Sequence, residues 1–287
     1  MDGIIIINKQ EDYTSNDVVQ IVKKIFKQKA GHAGTLDPMA TGVLPILVGK
    51  GTKCSKYLVN HDKTYTATLK LGIKTNTGDI TGNIVKEEKV ENLNHKYVSK
   101  ILQRFIGKQK QIPPMYSAIK INGKKLYEYA REKKEVDLEP RNIKIYSMEL
   151  ISIVENLITF EVSCSKGTYI RTLCEDIAKC LGTIGTMQKL NREKVGDFSI
   201  QNSVTLKELE ENFENKTFLD KYFISIEKLL KNSKEIVLSS SEFDLFINGA
   251  KVHKDLNDGI YKIYDLNKKF LGTGKMENGV LKRDVIL

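Results

Sequence analysis

The chain has 287 residues, and among them are no tryptophan, five prolines and four cysteines. Cys54, Cys164, Cys174 and Cys180 form no Cys-x-x-Cys pair and have no histidine at zinc-ligand spacing. A structural metal is therefore not expected, and reduced thiols in a cytoplasmic protein are the default. Apolar runs are short of the roughly 18 residues that a membrane-spanning helix needs. The opening Met-Asp-Gly-Ile-Ile-Ile-Ile-Asn-Lys lacks a positive leader region, and its apolar run is too short for a signal peptide. It reads as a first strand. Gly49-Lys-Gly-Thr-Lys53 suggests a phosphate loop but fails on spacing, because no glycine precedes a Gly-Lys-Ser/Thr by four residues. Nucleotide hydrolysis is not supported, and no internal repeat or low-complexity tract is present.

What the chain has is positive charge. Forty-six Lys and Arg against 36 Asp and Glu leave a net charge of +10, which favours a polyanionic partner. Charge alone leaves RNA, DNA and an anionic membrane surface open. Residues 108–144 hold ten of the basic residues and five acidic ones, half of the surplus. Hydrophobic residues make up 40% of the chain, enough for one large domain or a large one with a small one.

Along the chain, residues 4–7 are a buried-strand candidate. Thr14 to Asp17 supply helix-capping residues before Val18, Val19, Val22, Ile25 and Phe26, which recur at helical spacing. Residues 55–59 suggest a short helix, and 63–72 alternate in strand fashion. A polar turn region follows at 75–82. Val98, Ile101, Leu102, Phe105 and Ile106 mark a further amphipathic helix, 154–162 a strand, and the stretch from Arg171 a helix closed by Gly182. From about residue 226 the character shifts to short strand candidates, at 260–264, 269–274 and 280–287.

The stretch around which the chain is organised is 30–49, Ala-Gly-His-Ala-Gly-Thr-Leu-Asp-Pro-Met-Ala-Thr-Gly-Val-Leu-Pro-Ile-Leu-Val-Gly. Its first half is a loop of small residues presenting one imidazole, His32, and one carboxylate, Asp37. Its second half, 43–48, is an apolar run of strand length. Pro38 keeps Asp37 out of the helical region, in an extended or turn conformation.

This string resembles the motif of the tRNA pseudouridine-55 synthases of TruB type, whose catalytic aspartate lies in Gly-Thr-Leu-Asp-Pro. Lys63-x-Tyr65, with its strand ending Leu-Gly, resembles the family segment whose tyrosine stacks on the target base. Pro113-Pro-Met-Tyr-Ser-Ala-Ile-Lys120 resembles the signature of the family's mobile thumb. Ser165-Lys-Gly-Thr-Tyr-Ile-Arg171 resembles the motif whose arginine pairs with the aspartate, and Leu190-Asn-Arg a third motif whose leucine packs beside the site. The family usually opens with Lys-Pro-x-Gly-x-Thr-Ser; here Lys9 to Ser15 keeps the lysine and Thr-Ser but lacks the Pro and Gly.

The resemblance implies an α+β fold with a mixed, mostly antiparallel central sheet flanked by helices. It implies a catalytic domain over 1–225 with a thumb insertion at about 108–144, and a small β-rich, PUA-like RNA-binding domain over 226–287. It implies Asp37 as the catalytic residue, with His32, Tyr65, Tyr169, Arg171 and Leu190 at the substrate. The implied substrate is the tRNA T-arm, with no cofactor, metal, membrane or protein partner, and a monomer as the default. Two rivals stand beside this reading. One is a guide-RNA-dependent synthase; such chains carry extra terminal segments, whereas this one begins at its first strand. The other is a non-catalytic RNA-binding or RNA-folding module, which has no need of a carboxylate facing a polyanion.

Overall fold

The computed structural model describes all residues except 92, 133 and 135; Lys133 and Glu135 of the basic stretch thus lie outside the described residues. Strand β1 (Gly3–Lys9) is apolar without alternation because it is buried on both faces. Ile5 and Ile7 enter one core, Ile4 and Ile6 another. Helix α1 (Ser15–Phe26) starts on a reciprocal cap between Thr14 and Asp17 and lays Val18, Val19, Val22 and Phe26 on the first of these cores. Then come β2 (Ala30–His32), β3 (Thr41–Val48), the short α2 (Ser55–Leu58) and β4 (Lys63–Leu71). Next are β5 (Ile73–Thr75), β6 (Ile84–Glu87), α3 (His95–Gln103) and β7 (Gly107–Gln111).

Between β7 and β10 (Arg141–Val154) lie a two-stranded hairpin, β8 (Lys120–Ile121) with β9 (Lys124–Lys125), and α4 (Leu126–Arg131). The excursion from the sheet is thus narrower than 108–144, since 108–111 and 141–144 pair with each other inside the sheet. Then follow β11 (Leu157–Cys164), α5 (Ile170–Cys180), β12 (Gly185–Val195), β13 (Phe198–Ser199) and β14 (Phe223–Ser225).

The central sheet has ten strands, its main order being β14-β1-β3-β12-β4-β11-β10-β7. Its pairings are antiparallel except between β3 and β12, which run parallel with Asn191 opposite Thr41 and Arg192 opposite Gly42. Gly42 has φ +103°, and a Cβ there would lie 2.3 Å from the Arg192 carbonyl oxygen, so the approach of these strands requires glycine. A second sheet of five strands, β15 (Lys234–Val237), β16 (Val252–His253), β17 (Gly259–Tyr264), β18 (Phe270–Glu277) and β19 (Val280–Ile286), forms the β-rich tail. It is stitched to the first body: Val285 packs with Ile4, Leu47 and Leu58, and Asp284 accepts from Lys56 and Tyr57.

Two local expectations need correction. Residues 154–162 are not one strand, because a hairpin turn at Glu155 (φ +52°) and Asn156 separates the end of β10 from β11. The turn was hidden by apolar residues on both sides of it. Helix α3 stops at Gln103, so Phe105 and Ile106 follow it; Phe105 still packs on the core, while Ile106 is exposed. The segment without the usual Pro and Gly keeps its turn because Asp12 itself takes the left-handed conformation, φ +69°. A short polar side chain tolerates that region better than most.

Candidate active site

The loop between β2 and β3 is built to present Asp37. Asp37 and Pro38 open a turn that the Ala40 N–H closes on the Asp37 carbonyl at 3.0 Å. Three buried side chains hold the loop from below. The Ser15 hydroxyl accepts from the Leu36 N–H (2.8 Å) and donates to the Leu36 carbonyl (3.0 Å). The Lys9 ammonium donates to the carbonyls of Pro38 (2.9 Å), Tyr13 (2.6 Å) and Gln10 (2.9 Å). Burial brings Lys9 down to about 8, against the pull of Asp37. Arg192 reaches up from β12 to the carbonyls of Val43 (2.8 Å), Gly34 (3.0 Å) and Thr35 (3.3 Å).

Asp37 meets Arg171, the second residue of α5, in a two-point contact: Nε to Oδ2 at 3.1 Å and Nη2 to Oδ1 at 3.4 Å. A guanidinium at a helix N-terminus opposes the helix dipole, so its place depends on acceptors around it. They are present. Arg171 also donates to the carbonyls of Tyr116 (2.7 Å) and Thr77 (3.1 Å), and Asp79 lies 3.7 Å from its Nη1. Asp79 is buried and is fixed in turn by the hydroxyls of Thr77 (2.9 Å) and Thr81 (2.6 Å) and by the Thr81 N–H (3.1 Å).

Burial pushes the Asp37 carboxyl above the ordinary aspartate value; Arg171 pulls it back, Asp79 pushes it up further, and Lys9 and Arg192 pull it down weakly. The cationic neighbour therefore offsets burial without overcoming it. The side chain nonetheless keeps 32% of its surface open, toward a cavity of about 640 Å³.

Tyr65, Tyr169, Arg171 and Leu190 line this cavity together with Asp37, so five of the six residues singled out in the sequence converge there. Tyr65 and Leu190 sit on adjacent strands and are buried, giving the cavity an aromatic and an aliphatic wall. Tyr169 caps α5, and its backbone is clasped by Gln111: its N–H donates to Oε1 (2.8 Å), while Nε2 donates to its carbonyl (3.0 Å). His32 lies apart from the cavity lining, on β2 opposite Ile46. Burial and the charge of Arg192 lower its pKa, and its Nδ1 is buried without a partner.

Asp79 and Arg192 were not singled out by the sequence reading. Asp79 falls in what reads as a polar turn, and nothing local marks it as the carboxylate behind Arg171. Arg192 lies within the Leu190-Asn-Arg string, where the arginine attracts less notice than the leucine. The arrangement offers an acceptor or nucleophile held against a cation, beside a cavity with an aromatic and an aliphatic wall.

Comparison with known proteins accords with this geometry. Residues 23–170 match the TruB family pseudouridylate synthase N-terminal domain. Residues 171–231 match the tRNA pseudouridylate synthase B C-terminal domain, and 235–284 the C-terminal domain of pseudouridine synthase II TruB. The chain is 43% identical over 290 residues to tRNA pseudouridine synthase B of Francisella tularensis subsp. novicida, covering 98% of this chain and 93% of that protein. It is 44% identical over 259 residues to tRNA pseudouridine synthase B of Psychrobacter arcticus, covering 88% and 68%. In fold it is similar to a chain from the crystal structure of a Cbf5-Nop10-Gar1 complex, with TM-score 0.74 at 24% identity over 99% of this chain and 84% of that one. With these family matches along its length, the chain belongs to the TruB family of pseudouridine synthases.

Proposed function

We propose that this chain isomerises the uridine at position 55 in the T loop of tRNA to pseudouridine, with Asp37 starting the reaction. The observation that carries the reading is the Asp37–Arg171 contact at the floor of a cavity walled by Tyr65 and Leu190. The base must leave C1′, turn over, and rejoin the same sugar through C5, which needs neither a redox step nor a group donor. Asp37 begins this either by attacking C1′ or by removing the C2′ proton. Both routes need the carboxylate ionised, and Arg171 favours that form.

A uridine within a folded loop has to be flipped out to reach the carboxylate. Tyr65 then stacks on the ring, Leu190 closes the other side, and Tyr169 borders the pocket. His32, at the end of β2 where the loop bearing Asp37 begins, buttresses the RNA where the base has left. The hairpin and α4 between β7 and β10 act as a thumb on the RNA, and residues 226–287 as a PUA-like RNA-binding domain appended to a catalytic domain of 1–225. Among the described residues no helix is long and apolar enough to cross a membrane. We take the protein to be a cytoplasmic monomer.

The test is a guide-free assay on unmodified tRNA transcript, with pseudouridine mapped by carbodiimide adducts that stop reverse transcription. A stop at the T-loop uridine with wild type and none with Asp37→Asn supports the reading. Tight binding with no stop from either protein replaces it with the guide-dependent synthase or the binding module.

A further inference from the structure

The catalytic pair leaves three of the charged residues around the cavity without a task. Lys63, Arg141 and Lys166 also line it. They come from separate elements: Lys63 opens β4, Arg141 opens β10, and Lys166 lies in the turn after β11. The sheet register brings these ends to one rim, with Cys164 of β11 opposite Lys63 on one side and Ile145 of β10 on the other.

Among the described residues, none of the three forms an ion pair with a carboxylate. Lys63 donates to the carbonyls of His61 (2.5 Å) and Val59 (3.4 Å), and Lys166 to the Asn60 side-chain oxygen (2.5 Å). With Arg171 and Arg192, five cations line the cavity against Asp37 as the one carboxylate. A uracil ring is neutral and needs none of the rim charges. Gathering like charges is costly, and a ligand bearing more than one negative charge relieves that cost. A flipped nucleotide carries its two flanking phosphates to the mouth of the pocket that receives its base.

We propose that Lys63, Arg141 and Lys166 form a collar at the mouth of the cavity that binds the phosphates on either side of the flipped uridine. This rests on the isomerase reading above and adds to it where the backbone of the target nucleotide is held. Lys63 has a further property. Burial, with repulsion from Arg192 and Lys166, brings it down to about 8, against the pull of Asp62. Cys164 is a neutral thiol in this range, its proton held up to about 11 by burial. A phosphate beside Lys63 restores its proton, so RNA binding takes up a proton. Affinity then falls as pH rises through about 8.

The experiment measures binding of a T-arm hairpin to the full chain in the Asp37→Asn background, so that no turnover intervenes. The hairpin is made with ordinary linkages, or with neutral methylphosphonates at the two phosphates flanking the target uridine. Replacing Lys63, Arg141 and Lys166 together by glutamine should weaken binding about tenfold or more and reduce the slope of log affinity against log salt by about 2. The methylphosphonates should weaken the parent similarly yet cost the triple variant little. Losses that simply add, or an unchanged salt slope, overturn the proposal.

The exposed Arg141→Gln change alone, checked for a native melting curve, keeps the test open if the triple variant misfolds. Lys63→Gln should also remove the affinity step near pH 8; its persistence would assign that step to another group. The parent chain is assayed separately for pseudouridine. Absence of product there defeats the isomerase reading, while the binding cycle still reports on the collar.

Discussion

Arg171 meets Asp37 at two points, an Nη2–H···Oδ1 hydrogen bond of 3.4 Å and an Nε···Oδ2 ion-pair contact of 3.1 Å, while its remaining face is taken by Asp79 and by the carbonyls of Thr77 and Tyr116. The guanidinium is fixed on every side before substrate arrives. Its planar fork matters as much as its charge. Arg171→Lys keeps the charge but not the fork, and should slow single-turnover isomerisation by about 10–150-fold, the worth of a charged hydrogen bond of ~1.5–3 kcal/mol. RNA affinity measured by filter binding should change little beside that.

Asp37→Asn removes the acting carboxylate and should lower the single-turnover rate by at least about 10³-fold. Binding of the T-arm should be retained or tightened, because a negative charge facing RNA is lost. Retention of near wild-type conversion would rule Asp37 out as the initiating group.

The pH profile follows from the shift at Asp37. The ionised form acts, and its pKa lies above the ordinary aspartate value, so activity should fall with falling pH earlier than an unperturbed aspartate would allow. Arg171→Met removes the cation that pulls this pKa down and should move the acid limb to higher pH. Asp79→Asn removes a carboxylate that pushes it up and should move the limb to lower pH. Opposite displacements, read from single-turnover rates across pH, would separate the two partners; movement in the same direction would refute this assignment.

Arg192 is buried with three loop and strand carbonyls as its partners. Arg192→Met leaves those acceptors without a donor, a cost of about 1–3 kcal/mol for each buried group. Urea denaturation should show a stability loss of several kcal/mol at most, reduced because the variant also escapes burying a charge. The isomerisation rate should fall as well, since the loop bearing Asp37 loses its tie to β12.

Much of this was legible in the sequence, and the misses have physical reasons. The isoleucine run of β1, the alternation of β4 and the capped α1 are local patterns, and they hold. The string around Asp37 is long enough to name its neighbours in sequence. It does not name its neighbours in space: Asp79 precedes Arg171 by 92 positions, and the position of its carboxylate depends on a turn of Thr77 and Thr81 that looks like ordinary polar loop. The hairpin at Glu155 was missed because the strands on both sides of it are apolar, and the boundary rests on one left-handed residue. His32 reads in the sequence as part of one loop with Asp37, but it ends strand β2, where pairing with β3 sets it apart from the cavity lining.

The parallel join of β3 to β12 has a consequence for biosynthesis. The carbonyls of Gly34 and Thr35 receive their donor from Arg192, more than 150 positions later in the chain. Contacts of such sequence separation form late, because the intervening chain must first be organised. On the ribosome, the loop that carries Asp37 emerges early and waits without its brace until most of the chain has been made. A nascent or truncated chain lacking β12 therefore holds the catalytic sequence but not the catalytic geometry, and the enzyme becomes competent only when translation has delivered the strand that locks its loop.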